Sequence, residues 1–425
     1  MARASAFAPG HISGFFSVFD QHPDPARRGS RGGGVCITKG ARSTVELDEG
    51  TGRMEISING VLQAAPVTRL ALETMLRDLS LDAVIDIELE LPQGQGFGMS
   101  AAGTLSSCLA AREVLDMLDV DTSTVPEPAF CAHVAEVDLL SGMGDVVAQM
   151  TGGVVAREKE GLPPFGVVKK SPGKGDFVVC VIDEPLSTKE ILSDADKVLT
   201  INSKGQALVP VFAEHPKLDV LIELSRRFAE EAELASPSVL EALEAIKDAG
   251  KGSMVMLGNT IFAKGDNEKL LEILSEHGEA FIVSIDDEGA RVIETPADVM
   301  AQEAGQATVD HGAATGVEGG LKIKREEAVE PGDGVRMKTS EDSTGEDVRM
   351  KASLEAPQED GLKIKEEEHP GDVVDLDSIE AELTGMGEDV EEELGEEAED
   401  REPEGESEEE SSDETVFEEE DSEEE

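Results

Sequence analysis

The residues with the clearest chemical meaning form one stretch, Leu91-Pro92-Gln93-Gly94-Gln95-Gly96-Phe97-Gly98-Met99-Ser100-Ala101-Ala102-Gly103-Thr104. Gly94, Gly96 and Gly98 recur at every second position, where a missing Cβ lets backbone N–H groups approach a ligand and lets φ turn positive at little cost. A helix beginning near Ser100 adds its unpaired N–H groups and the positive end of its dipole. Glycine loop and helix start together make a cradle for a phosphate. Further along, His133 and Glu136 are three residues apart in a helical pattern and share a face. Asp145 is set between the small residues of Ser141-Gly142-Met143-Gly144 and an apolar stretch, which favours a site position over a solvated one.

Two familiar phosphate loops fail on specific residues. A P-loop ends in Gly-Lys-Ser/Thr, and no lysine lies between Glu90 and Glu136. A Rossmann loop needs a second strand carrying an acidic residue about twenty positions on, whereas here the helix runs into Asp116, Asp119, Asp121 and a Thr/Pro-rich turn. Zinc-type ligand clusters and a serine hydrolase elbow are absent, so hydrolysis and hydride transfer are weak readings. Phosphoryl transfer to an alcohol needs a phosphate cradle, a divalent cation, a carboxylate near the acceptor hydroxyl and a clamp for the acceptor. Arg157 is the arginine closest in sequence to Asp145, and its planar fork suits an acceptor carboxylate; a surface pair with Glu158 or Glu160 is the plain alternative.

Positioning these residues falls to simple elements. Ile85, Ile87, Leu89 and Leu91 alternate with Asp86, Glu88 and Glu90, the period of a half-buried strand leading into the loop. Leu105, Cys108, Leu109, Leu115 and Leu118 continue at helical spacing after it. Residues 43–48 and 52–58 read as a hairpin around Glu49-Gly50-Thr51-Gly52, and a helix from Val67 to Leu79 follows Pro66. A helical pattern from Ala129 carries His133, Glu136 and Asp138. In the second half, Phe177 to Ile182 is a strand, Lys217 to Ala235 an amphipathic helix, Ser238 to Asp248 a helix capped at Ser236, and Phe281 to Ile285 a strand. A strand-rich start followed by mixed elements implies an α+β fold, not a doubly wound sheet.

Charge divides the 425 residues unevenly. Residues 1–300 carry 26 Lys+Arg against 47 Asp+Glu, and residues 301–425 carry 10 against 46. The last segment has one aromatic residue, Phe417, and is expected to be a disordered acidic tail, since it cannot bury enough apolar surface to offset ordering entropy. The acidic body fits a concentrated-salt cytosol, where screening relieves self-repulsion. Without a basic patch, nucleic acid is not an expected partner. The four cysteines form no Cys-x-x-Cys pair, no apolar run reaches membrane-span length, and no signal pattern opens the chain; a cytoplasmic protein with reduced thiols and no membrane partner is expected.

The glycine stretch closely resembles the second signature of the GHMP small-molecule kinases, Pro-x-x-x-Gly-x-Gly-Ser-Ser-Ala-Ala. Pro92, Gly96, Gly98, Ser100, Ala101 and Ala102 fall on it, and Met99 departs from it. Ala6-Phe7-Ala8-Pro9-Gly10-His11-Ile12-Ser13-Gly14-Phe15-Phe16 resembles the first signature, with a form similar to that of archaeal pantoate kinases. Asp248 to Gly258 resembles the third, a glycine turn beside the nucleotide, although Lys251 interrupts its glycines. Asp145 lies seven residues before Gly152-Gly153, the spacing of the catalytic aspartate in several of these kinases.

The resemblance covers roughly residues 3–295 and implies a two-domain GHMP kinase fold. Residues 1–165 would form an ATP-binding part like the second domain of ribosomal protein S5, 166–300 a ferredoxin-like part, and 301–425 the tail. It further implies ATP and Mg²⁺ as cofactors, with Pro92, Gly94, Gly96, Gly98, Ser100, Ala101, Ala102, Gly250, Gly252 and Ser253 around the nucleotide. Ser106 and Glu136 would serve ATP and magnesium, and Asp145 would orient or deprotonate the acceptor hydroxyl. Ser30, His133, Arg157 and Thr188 would complete a pantoate pocket. The implied reaction moves the γ-phosphate of ATP to the primary hydroxyl of (R)-pantoate, giving 4-phosphopantoate for coenzyme A synthesis, in a possible homodimer. Alternatives are a GHMP kinase acting on shikimate, homoserine or a mevalonate derivative, or a catalytically silent ATP-binding regulator. For Ser106, a helix serine bonded to its own backbone is the competing reading, and for His133 a satisfied structural histidine.

Overall fold

A computed structural model describes residues 2–185 and 193–293, all within one compact unit. Thr188 and the expected tail 301–425 lie outside the described residues. The chain opens with two long antiparallel strands, β1 (Ala2–Phe19) and β2 (Gly29–Glu49). Their register slips between Pro9 and Gly10 and between Ser13 and Phe15. Bulges bend and twist a strand pair, and this pair serves two neighbourhoods: residues 41–49 of β2 pair with β5 (Leu81–Leu89), while residues 32–35 pair with β6 (Val154–Lys159).

The expected hairpin over 43–58 does not form. β3 (Met54–Ile58) lies parallel to β5, which stands between it and β2; β4 (Val61–Leu62) closes the edge. Asp82, at the start of β5, accepts the backbone N–H of Thr51 at 2.7 Å and of Arg53 at 2.9 Å, so the turn is clamped across the intervening strand. The sheet is completed by β7 (Val167–Ser171) beside β6 and by β12 (Arg291–Ile293) beside β1. A boundary at 165/166 therefore does not separate the sheets, because β7 and β12 both belong to the first one.

Helices α1 (Pro66–Met75), α2 (Met99–Met117) and α3 (Pro128–Asp138) cover one face of this sheet. Val45, Ile56, Leu72, Ile85, Ile87, Cys108 and Val114 fill the space between. Each such fully buried aliphatic side chain contributes about 1.5–3 kcal/mol. Short helix α4 (Asp145–Thr151) follows, ending at Gly152. A second sheet, in the order β11 (Glu279–Ser284), β8 (Asp176–Val181), β10 (Thr260–Gly265) and β9 (Gly250–Met254), is antiparallel throughout.

Helices α5 (Ala195–Glu214), α6 (Leu218–Glu231), α7 (Pro237–Ala245) and α8 (Asn267–Leu274) complete the described fold. Ser236 caps α7 by accepting the Val239 N–H. In α5, Phe212 packs edge-on against Phe15 of β1, fixing the bulged part of β1 that borders the site. All four cysteines are buried free thiols. Among the described residues no helix is long and apolar enough to cross a membrane.

Candidate active site

The glycine loop connects β5 to α2. Gly94, Gly96 and Gly98 take φ values of +73°, +80° and +62°, which side chains rarely adopt. Gly98 is the N-cap of α2, and Ala102 N–H makes the first helical bond to its carbonyl, so the amides of Met99, Ser100 and Ala101 point out of the helix end unpaired within it. The loop is held from both sides. The His11 N–H donates to Phe97 O at 2.9 Å, and Gln149 Nε2 donates to Gly98 O at 2.9 Å. Buried Gln95 ties the loop to the second sheet, donating to Asp183 O at 2.7 Å and accepting from Asn259 N–H at 3.2 Å.

Beside the loop is a cleft of about 100 Å³. Gly94, Gly96, Gly98 and Ser100 line one side, and Glu136 with Ser141 to Asp145 line the other. Ser13 and Phe16 of β1, Ser30 of β2, and Met256 and Leu257 after β9 close it. A separate groove of about 320 Å³ shares Met99 and Ser100 with the cleft and runs between α1 and the loop, past Pro66, Thr68 and Gln93.

Two carboxylates converge in the cleft. A Cβ at Gly142 would collide with Glu136 Oε2 and stand 3.1 Å from Asp145 Oδ2. Ser100 Oγ donates to Glu136 Oε1 at 2.6 Å. Glu136 is 2% exposed; burial, aided by the charge of Asp145, pushes its carboxyl up to about 7. Asp145 behaves oppositely. Burial pushes it up, but the hydrogen bond from His11 and the positive charge around it, that of Arg157 included, hold it below the usual carboxylate range. Neighbouring carboxylates whose environments drive their proton affinities apart are suited to different tasks.

Arg157 on β6 is 2% exposed. Its Nη1 donates to His11 Nε2 at 3.3 Å, and His11 Nδ1 lies 2.7 Å from Asp145 Oδ1. Burial lowers the proton affinity of His11, which leaves the ring neutral. Arg157 Nε has no hydrogen-bond partner. It lies by Gly144, where an added Cβ would stand 2.7 Å from it and would also strike Ser30 Oγ. Arg157 is buried rather than a surface arginine, and Glu160 pairs instead with Arg31 at 2.6 Å.

Several expected residues stand elsewhere. Ser106 is buried seven residues past the start of α2, with its hydroxyl 2.7 Å from Ser43 Oγ and donating to Ala102 O at 2.7 Å. It does not line the cleft; the helix period turns it toward β2, and Ser100 is the serine on Glu136. His133 Nε2 is bonded to Arg28 O at 3.0 Å and braces the turn before Ser30 rather than facing the cleft. Ala101 and Ala102 are buried in α2, and Pro92 is exposed ahead of the loop. Gly250, Gly252 and Ser253 are in β9, with Ser253 accepting from Ser225 Oγ at 2.8 Å. The segment that reaches the loop lies just beyond: an added Cβ at Gly96 would meet Val255 and Met256 O. Not foreseen as site residues were His11, Gln95 and Gln149. Only His11 carried a signal, its place after Pro9-Gly10.

No family model matches the chain. A pantoate kinase of Methanospirillum hungatei is 30% identical over 305 residues, 69% of this chain and 97% of that protein. A pantoate kinase of Thermococcus kodakarensis is 32% identical over 285 residues, covering 64% and 91%. Among solved structures, a phosphotransferase related to the CoA biosynthesis pathway is similar at a TM-score of 0.60 and 28% identity, covering 69% of this chain and 99% of that one. A structure solved with AMPPCP and magnesium matches at a TM-score of 0.52 and 13% identity over 69% of this chain and 99% of its own, a likeness of fold alone.

Fold and relatives together define a GHMP-type, ATP-dependent small-molecule kinase. Within that class the chain belongs to the pantoate kinase family.

Proposed function

We propose that the protein transfers the γ-phosphate of ATP to the primary hydroxyl of pantoate, giving 4-phosphopantoate for coenzyme A synthesis. The observation that carries this reading is Arg157: a buried guanidinium whose Nε is unpartnered, beside Ser30 and linked through His11 to Asp145. A small acid that places its carboxylate at Arg157 can bring its hydroxyl to Asp145. Phe16, Met143 and Met256 line the same cleft and suit the branched apolar carbon between those two groups.

The nucleoside of ATP fits the groove between α1 and the glycine loop, with its phosphates over the first amides of α2. Magnesium fits beside Glu136. Among the described residues no three His, Cys, Asp or Glu side chains form a metal cluster, so Glu136 would leave the remaining positions to phosphate oxygens and water, as magnesium prefers. The ion supplies charge neutralisation at the transferring phosphoryl group. Ser100 holds Glu136 in place. Asp145, kept ionised, orients the acceptor hydroxyl and takes its proton. Loop amides bind the phosphate oxygens from the other side.

ATP turnover with pantoate, pantothenate, shikimate, homoserine and mevalonate tests the assignment. Pantoate should give the highest kcat/KM; equal or better turnover of any other acceptor would overturn it.

A further inference from the structure

Asp145 lines the cleft and Arg157 is buried behind Gly144 and Ser30, which line it too; for two opposite charges in so water-poor a setting a direct ion pair would be the default. They do not form one. His11 occupies the gap, with Nδ1 2.7 Å from Asp145 Oδ1 and Nε2 3.3 Å from Arg157 Nη1. Guanidinium can only donate, so Nε2 must accept, and the ring proton must be on Nδ1, donated to the carboxylate.

We propose that His11 is a positioning residue, a neutral spacer that keeps Arg157 and Asp145 apart and aims each at its own end of the acceptor. This rests on the acceptor reading above. With Oδ1 engaged by His11, Asp145 turns Oδ2 toward Gly142 and Glu136. With Nη1 engaged, Arg157 keeps Nε beside Ser30. A direct pair would consume both functions at once.

The surroundings fix the ring. His11 is fully buried, and its backbone N–H holds the glycine loop through Phe97 O. Gly34 of β2 faces the imidazole, and a Cβ there would strike Nε2 and stand 3.0 Å from Cε1. The spacer is therefore held directly against the glycine loop and β2.

Two substitutions split the two hydrogen bonds. The His11→Asn amide nitrogen replaces Nδ1 and can serve Asp145 but cannot reach Arg157. The His11→Gln amide oxygen replaces Nε2 and can serve Arg157 but leaves Asp145 without its donor. Hydrogen bonds to charged groups are worth enough for roughly 10- to 100-fold effects. His11→Asn should raise KM for pantoate by that order with kcat largely kept, and His11→Gln should lower kcat by that order with KM for pantoate largely kept. Parallel losses in both constants in both variants would mean a merely structural histidine and overturn the proposal.

The second measurement needs no acceptor. Long-range ¹H–¹⁵N correlation on histidine-labelled, full-length wild-type protein should show a neutral His11 protonated on Nδ1. An imidazolium, or a proton on Nε2, would overturn the spacer. This readout stands if a variant fails to fold or if another acid proves to be the acceptor, so failure of the substrate reading is told apart from failure of the proposal.

Discussion

Ser100, in the first turn of α2, donates its hydroxyl to Glu136 of α3 at 2.6 Å, so the helix whose first amides are unpaired within it also grips the carboxylate opposite. The bond stabilises the ionised form of a carboxyl that burial pushes up. Ser100→Ala should therefore weaken magnesium dependence more than folding. A charged-acceptor hydrogen bond is worth about 1.5–3 kcal/mol, so the Mg²⁺ concentration for half-maximal rate should rise roughly 10-fold or more while the melting temperature moves little. An unchanged Mg²⁺ requirement would separate Glu136 from the cation.

Gly142 has no side chain where Glu136 and Asp145 meet, and a single methyl would displace Glu136 Oε2. Gly142→Ala should lower kcat/KM for ATP at fixed Mg²⁺ by one to two orders of magnitude, about the range of one lost electrostatic contact. Circular dichroism should remain that of the folded wild type. Wild-type kinetics in this variant would show that the space between the carboxylates is not used.

The glycine loop between β5 and α2 was legible because its signals are local: alternating apolar residues, glycines at every second position and a helix pattern stand within about thirty residues. The wider site depends on pairings the chain order hides. His11 meets partners 134 and 146 residues away, and nothing around Pro9-Gly10 reveals them. Ser100 and Ser106 lie on one helix, and only packing decides that Ser100 faces Glu136 while Ser106 bonds to Ser43. The 43–58 hairpin failed for a similar reason, since β5 arrives from thirty residues on and inserts between its strands. Gly250-Lys251-Gly252 looked like a turn, yet its two glycines let β9 approach β10 closely.

The raised Glu136 carboxyl sets a pH window. Its affinity for a proton is higher folded, at about 7, than the ordinary 4.5, because burial first and the Asp145 charge second disfavour the anion. Its contribution to stability is full below about pH 4.5 and is lost as pH rises through about 7. Without divalent cation, wild-type stability should thus decline between about pH 5 and 7.5 more steeply than that of Glu136→Gln, read by denaturant titration at each pH. Saturating Mg²⁺ and ATP should flatten the wild-type decline, since a bound cation takes the proton's place. Identical pH slopes in the two proteins would show that Glu136 titrates normally.

In the proposed function Arg157 holds the acceptor's carboxylate, not the nucleotide. Arg157→Ala should raise KM for pantoate at least 10-fold while KM for ATP changes less than about 3-fold, the expected scale of a lost charge-assisted bond. The variant also strips His11 of its Nε2 donor, so some loss in kcat accompanies the KM effect. Equal rises in both KM values would point to a structural arginine.

Asp145 is the residue proposed to carry the chemical step. Its carboxyl is held below the usual carboxylate range against burial by the His11 hydrogen bond and the positive charge around it, that of Arg157 included, and its Oδ2 faces the cleft near Glu136. An alcohol is a poor nucleophile until a neighbouring carboxylate orients it and accepts its proton. Asn keeps the size and one hydrogen-bonding oxygen but cannot take the proton, and orienting or base groups contribute typically about 10²–10⁴-fold. Asp145→Asn should lose kcat on that order. The loop amides of Gly94 to Ala101 do not depend on Asp145, so binding of a non-hydrolysable ATP analogue, measured by calorimetry, should weaken no more than about 3-fold in the absence of Mg²⁺. With Mg²⁺ present, a larger loss of analogue binding would place Asp145 on the cation as well as on the hydroxyl. Full turnover in Asp145→Asn would transfer the role of base to Glu136, whose carboxyl near 7 is the other proton acceptor in the cleft.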